Sequence, residues 1–346
     1  MTAMDRPRGP LAGSPTLDEV ARVAGVSRAT ASRAINGGPK VSEHARRAVD
    51  EAVRTLGYVP NRAARALVTR RTDSVAVVVP EPDERVFSDP FFARTLRSVT
   101  RVLGEREVQL VLLLARPGAE ETRMLRYLGA GHVDGALVVS HHRDDRLSEL
   151  LPELGLPCVF GGRPWSGSDK VPYVDVDNVA GGRIATELLI ERGCRRIGTI
   201  AGPDDMTAAS DRLAGWCQAL AAAGLDTDAR ARGDFTEEGG RRAAEELLAR
   251  HPDLDGLVVA SDLMARGALA VAAGQGRRVP DDLAVVGYDD LGVAETTDPP
   301  LTTMRNPIGE MAERATRLLL DRIDGRETGG PYRLIIPTTL VRRGTA

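Results

Sequence analysis

From Ser74 to Asp290 the chain alternates short β-branched runs with amphipathic stretches, and no other feature constrains its fold as tightly. The apolar runs are "SVAVVVP", "VQLVLLLA", "GALVVS", "PCVFGG", "YVDVD", "RIGTIAG", "GLVVAS" and "LAVVGYDD". Helical spacing lies between most of them, at 91–104, 179–192, 208–223, 237–250 and 262–273. Near-continuous apolar strands separated by helices imply parallel sheets covered on both faces. Residues 73–346 suffice for two such lobes, expected at 74–175 plus 306–329 and at 176–305 plus 330–346. Ligands of open parallel sheets bind in the crevice beyond the carboxyl ends of the strands.

The first 72 residues follow a different rule. They carry +7 formal charges, whereas the remainder carries −10 within a total of −3. A small basic head on an acidic body suggests a polyanion-binding module. Residues 1–14 lack the apolar segment of a secretory signal and read as a short disordered leader. Residues 15–60 read as three short helices. "TLDEVARVA" offers Thr16 as cap, Glu19 as its capping-box partner, and Leu17, Val20 and Val23/Ala24 as an apolar stripe. Gly25 breaks the pattern and Ser27 caps "RATASRAIN", which turns Ala31, Ala34 and Ile35 inward. Arg28, Ala29, Ser32 and Arg33 are left on its other face. "SEHARRAVDEAVRTLGY" caps at Ser42 and stops at Gly57. Helix, glycine-containing turn, helix and supporting helix form a helix-turn-helix, whose second helix enters the DNA major groove. The bland alternative is an ordinary three-helix bundle.

Residues 61–72 join the two regions. Their start, "NRAARAL", is built of strong helix formers behind Asn61, yet falls short of the roughly 12–15 residues that even a marginal isolated helix needs. Either a neighbour packs on it permanently or something outside the chain completes it.

Strand ends supply the crevice candidates: Ser88 to Phe92, Gly162, Arg163, Asp175, Asp177, Asn178, Arg212, Phe235, Ser261, Asp262, Asp289 and Asp290. Carboxylates and amides exchange hydrogen bonds with hydroxyls, Arg forks across two oxygens, and an aromatic face stacks on the C–H side of a sugar. Enzyme motifs are missing: no GxGxxG follows a strand, and neither GxxxxGK[ST] nor GxSxG occurs. The five histidines lack metal spacing, and His141-His142 reads as a solvated surface pair. No metal and no cofactor is expected. Cys158, Cys194 and Cys217 read as buried reduced thiols of a cytoplasmic protein. No apolar run reaches the ~18 residues of a membrane span.

"TLDEVARVAGVSRATASRAING…VSEHARRAVDEAVRTLGYVPNRAARAL" resembles the N-terminal module of the lactose/galactose repressor (LacI/GalR) family of bacterial transcription factors. The body resembles the same family's periplasmic-binding-protein-like effector domain through "SDPFFA", "DNVAGGRIATELLIERGCRRIGTIAGP", "DRLAGW", "ASDLMARGAL", "LAVVGYDD" and "PPLTTMRNP". The resemblance implies that Arg28, Ala29 and Arg33 read base edges, as guanine-forking arginines and a thymine-contacting methyl would. Thr30, Ser32 and Asn36 would contact phosphates, which position the module without reading sequence, and the caps Thr16 and Ser27 would belong to the same DNA-binding set. It implies too that Asn61, Arg62, Ala64 and Leu67 belong to a hinge helix formed on DNA, with Leu67 wedged between base steps in the minor groove.

In the body, Arg212 and Asp289 would anchor effector hydroxyls, Phe235 would stack on the effector, and Phe91 and Ile308 would line the pocket. Ser261 stands before Asp262 where the family often has Asn, and Gly162-Arg163 stand where some relatives carry an acidic residue. The expected whole is an all-α helix-turn-helix domain plus an α/β effector domain of two parallel-sheet lobes. As a homodimer it would bind a near-palindromic double-stranded DNA operator and be released by a small sugar. The competing expectations are a corepressor design needing a purine-like ligand, which the 3% aromatic content disfavours, and a sugar-binding transport protein.

Overall fold

The computed structural model describes residues 15–59, 71–116, 118–326 and 332–346, and divides into two units, 1–72 and 73–346. The leader at 1–14 and the hinge reading at Asn61, Arg62, Ala64 and Leu67 lie outside the described residues.

The first unit contains α1 (Leu17–Val23), α2 (Arg28–Ile35) and α3 (Glu43–Leu56). Each has its sequence-encoded start. Thr16 and Glu19 close a reciprocal capping box, Ser27 accepts from the Thr30 amide, and Ser42 accepts from the Ala45 amide. Gly25 and Gly57 take the left-handed backbone that ends α1 and α3. Val20, Ala21, Ala31, Ala34, Val49 and Ala52 form the small core. Val23 departs from the expected stripe: it is 46% exposed, while Ala24 packs against the core and Ala21 is buried.

The second unit holds two six-stranded sheets. Five strands of the first are β1 (Ser74–Val79), β2 (Gln109–Leu114), β3 (Gly135–Val139), β4 (Cys158–Gly161) and β5 (Tyr173–Val176). Its sixth is β11 (Arg333–Ile336); all its pairings are parallel, in the order β11-β5-β4-β3-β1-β2. The second sheet has β6 (Ile197–Ala201), β7 (Arg230–Arg232), β8 (Gly256–Val259), β9 (Ala284–Asp289), β10 (Thr302–Arg305) and β12 (Thr339–Val341). Its order is β12-β10-β9-β8-β6-β7, parallel except for the antiparallel edge strand β12. Val75 to Val78 are wholly buried, as a central strand covered on both faces requires.

One boundary needs correcting. Residues 330–346 were expected in the second lobe, but Arg333–Ile336 pairs with Tyr173–Val176 in the first sheet. Alternation marks where strands occur and not which sheet they join. The chain therefore passes between lobes after β5, after β10 and after β11. The short strands β7, β10, β11 and β12 carry charges or have too few residues to show a pattern. The covering helices match the expected segments: α5 (Pro90–Gly104), α8 (Asn178–Arg192), α9 (Thr207–Ala222), α10 (Glu237–Arg250) and α11 (Asp262–Gly274). Among the described residues the remaining α-helices are α4 (Asp83–Ser88), α6 (Ala119–Gly129), α7 (Leu147–Glu153) and α12 (Ile308–Ile323), the last packed on α5 and on β3 to β5.

Candidate functional site

In the first unit, α2 presents one face outward. Ser27, Arg28, Ala29, Arg33 and Asn36 are exposed, while Thr30 and Ser32 are half-buried at its flank. Arg28 is 3.5 Å from Asp18 on α1, and Arg33 Nε donates to the Ala29 carbonyl, so both guanidiniums are lightly held at the surface. Thr16 and Ser27 are engaged as caps, with Thr16 Oγ1 and Ser27 Oγ 3.3 Å and 3.1 Å from the amides they accept.

In the second unit a cleft of about 880 Å³, counted to its open mouth, lies between the carboxyl ends of the two sheets. Arg212, on α9, is 8% exposed and organises its floor. Its Nε donates to Asn178 Oδ1 (3.0 Å), Nη1 to the Ala260 carbonyl (2.5 Å), and Nη2 lies 3.6 Å from Asp289 Oδ1. Its guanidinium rests 3.7 Å from the Tyr288 ring centroid and 5.8 Å from that of Phe235. Local packing explains this placement. Gly182 on α8 has no room for a Cβ, which would collide with the Arg212 carbonyl, so α8 and α9 approach at their glycines. Phe235 is pressed against Gly202 in the same way.

Carboxylates crowd the same space. Burial raises Asp289 to about 6, and burial with the nearby Asp289 charge raises Asp262 to about 8. Asp262 accepts from Thr303 Oγ1 at 2.6 Å and from the Asp290 amide at 2.7 Å. Burial likewise shifts Asp175 and Asp89 upward. Ser140, Phe235, Asp289 and Asp290, at or beside the cleft, all have positive φ without being glycine. Such backbone persists only where the surroundings impose it, and it clusters at ligand sites.

Of the sequence-derived effector set, Phe91, Arg212, Phe235, Ser261, Asp262 and Asp289 line the cleft. Arg163 and Ile308 are not among its lining residues. Arg163 forks onto Asp211 across the lobes at 2.6 and 2.7 Å, and Ile308 is buried at the start of α12. Arg85, His141 and Asn306 line it too, although none is among the crevice candidates of the sequence. The reading of His141-His142 as a solvated surface pair is overturned. His141 is 5% exposed and packs edge-on against Phe160. Burial drops its pKa to about 4, and its Nε2 donates to the Gly162 carbonyl. His142 bridges Glu81 Oε1 (3.0 Å) and Asp205 Oδ2 (2.8 Å). A dipeptide after a strand carries no sign of what folds over it, so only topology places these rings.

Among the described residues no group of histidine, cysteine and acidic side chains has metal-holding geometry, and no helix is long and apolar enough to cross a membrane. A family model of bacterial regulatory proteins, lacI family, matches residues 16–61, and one of a periplasmic binding protein-like domain matches residues 186–346. The HTH-type transcriptional regulator CelR of Thermobifida fusca is 52% identical over 332 residues, covering 95% of this chain and 97% of that protein. A solved transcriptional regulator CelR–cellobiose complex superposes with a TM-score of 0.77 at 49% identity, over 96% of this chain and 100% of that one. A lac repressor dimer bound to operator and the anti-inducer ONPF gives 0.84 at 26% identity, over 96% and 99%. With a helix-turn-helix face on one unit and a two-lobed ligand cleft in the other, this chain belongs to the lacI family of bacterial regulatory proteins and is a DNA-binding transcriptional regulator.

Proposed function

We propose that the chain is a homodimeric cytoplasmic repressor that leaves its operator when the cleft takes a small glucoside such as cellobiose. The observation that carries this reading is the cleft floor, where Arg212, Asn178 and Asp289 are linked beneath Phe235. That is a hydroxyl-binding polar set beside an aromatic face, which suits a sugar ring. The CelR–cellobiose complex, similar over nearly the whole chain, supports a β-linked glucose disaccharide as effector. The lac repressor dimer on operator supports two-fold reading of a near-palindromic site, with Arg28, Ala29 and Arg33 at base edges.

In this reading Arg212 and Asp289 hold ligand hydroxyls, Phe235 stacks on the ring, and Phe91, Ser261 and Asp262 shape the wall. Arg163 acts through its lobe-bridging pair with Asp211, and Ile308 through packing. Thr16, Ser27, Thr30, Ser32 and Asn36 position the head on phosphates, and Asn61, Arg62, Ala64 and Leu67 form the operator-dependent hinge.

Thermal unfolding of the full chain with cellobiose, glucose, maltose, hypoxanthine or guanine tests the effector class. Cellobiose at 100 times its Kd should stabilise the protein by about 2.7 kcal/mol, and the purines should leave it unmoved. Failure of every sugar, with a purine both stabilising the protein and tightening its hold on DNA, would replace the inducer reading with a corepressor.

A further inference from the structure

Away from the cleft floor, a seam of polar contacts joins the lobes. The chain crosses between them after β5, β10 and β11, at one edge of each sheet. The seam lies inward from that edge, on the loops after β3 and β4 and the loop and helix after β6. Swinging the lobes apart about the crossings therefore breaks it. Arg163 Nη2 forks onto Asp211 at 2.6 and 2.7 Å, and Thr207 Oγ1 donates to the Arg163 carbonyl at 2.6 Å. The Arg143 amide donates to the Asp205 carbonyl at 2.9 Å, and its Nη2 to the Asp204 carbonyl at 2.6 Å. The same guanidinium lies 4.2 Å from the Trp165 ring centroid.

His142 closes the seam. Its Nδ1 is 2.8 Å from Asp205 Oδ2 across the lobes, and its Nε2 is 3.0 Å from Glu81 Oε1 within the first lobe. The two carboxylates are not equivalent. Glu81 is 3% exposed and also accepts from Arg85 Nη1 and Ser140 Oγ, each at 2.6 Å, whereas the Asp205 side chain is 39% exposed. A neutral imidazole has one N–H, so its other nitrogen turns a lone pair towards a carboxylate. Glu81 is clamped in place, while Asp205 has water to turn to. Loss of the proton thus breaks the bond between the lobes and spares the bond within one.

The charges around the ring favour its protonated form. Arg85 of α4 stands behind Glu81. On the ring's own loop, burial drops His141 to about 4, Arg143 is committed to Asp204 and Trp165, and Asp144 is exposed. Buried Asp145, raised to about 6, takes the His142 amide at 2.7 Å, with Glu121 of α6 near it and Arg163 near His141. Asp204 and Asp205 complete the set from the second lobe. Burial works against a charged His142, but Glu81 and Asp205 outweigh it and hold its pKa above the usual 6.5.

We infer that His142 is a proton-operated latch between the lobes: charged, it holds them in this arrangement, and neutral, it releases them. The cleft takes its wall from both lobes, with Phe91 and Asp175 on the first and Arg212 and Phe235 on the second. A ligand touching both binds best while the lobes stay together, and its apparent Kd rises as that arrangement is depopulated. Affinity of the cleft is therefore greatest while His142 is charged, and falls as pH rises through its titration.

Of the chain's two tryptophans, Trp216 is wholly buried and Trp165 sits in the seam, so emission reports the latch without any ligand. Between pH 6 and 8.5 the emission maximum of the full chain should move to longer wavelength, and stay fixed in His142→Gln and in Asp205→Asn. Calorimetric titration with cellobiose as probe rests on the sugar-effector reading above. Over the same pH range the Kd of the unaltered protein should rise about threefold more than that of either variant. Combining the two substitutions should add nothing to either alone. Asp262, raised to about 8, and Asp289, raised to about 6, titrate in the same window, but every protein compared carries them. Emission that shifts alike in all the proteins or in none, or Kd curves that run parallel with pH, would overturn the latch. Absence of cellobiose binding at every pH, with the emission difference intact, would overturn the sugar reading and leave the latch standing.

Discussion

Arg212 is the residue on which the cleft turns. A guanidinium reaches an amide oxygen, a backbone carbonyl and a carboxylate at once because its donors are spread over a rigid plane. Lysine offers a point charge on a flexible stem and cannot hold the three together. Arg212→Lys is therefore expected to weaken cellobiose binding by roughly a hundredfold, about 2.7 kcal/mol. Operator affinity without sugar should stay within about twofold of the unaltered protein, because the substitution lies outside the DNA-binding unit. Calorimetry paired with gel shifts would check both halves. Arg212, Asp289 and Phe235 were legible in sequence because they sit in motifs at strand ends. Arg85 and Asn306 were not, since an arginine in a short helix and an asparagine before a proline have many ordinary uses. What singles them out is a place on the cleft wall, which only the folded chain reveals.

Between elements, the loops after β1, β3 and β6 meet in a clasp across the cleft. His142 places Nε2 against Glu81 and Nδ1 against Asp205, and the neighbouring Arg143 donates to the Asp204 carbonyl. Both ring nitrogens face carboxylates, so both must carry protons for both bonds to form. Burial opposes that charge, but the bonds and charges of Glu81 and Asp205 outweigh it and hold the His142 pKa above its usual 6.5. A base with a raised folded pKa contributes stability that is complete below its unfolded value and lost as pH rises through the folded one. The unaltered protein should thus lose thermal stability relative to His142→Gln as pH rises from 6 to 8.5. Parallel midpoint-against-pH curves for the two proteins would contradict the clasp. At this scale the sequence disclosed most of the fold. Eight strands and the principal helices follow from hydrophobic runs and caps, because central strands are buried on both faces. The short strands and the membership of Arg333–Ile336 depended on which edge was free to accept them, and no local pattern records that.

For the whole molecule, charge and topology divide the work. The basic unit carries the exposed face of α2, and the acidic unit carries a cleft spanned by three lobe crossings. A ligand that bridges the lobes biases their arrangement only by as much as it prefers one arrangement over another. A shift of about 1–3 kcal/mol suffices to change operator affinity about 5–150-fold. In the proposed function, sugar in the cleft is read out as loss of DNA. Fluorescence anisotropy with a labelled near-palindromic operator, selected from a random DNA pool and held at constant salt, measures that directly. Saturating cellobiose should raise the operator Kd by at least about fivefold. An operator Kd unchanged or lowered at saturating cellobiose would contradict the account.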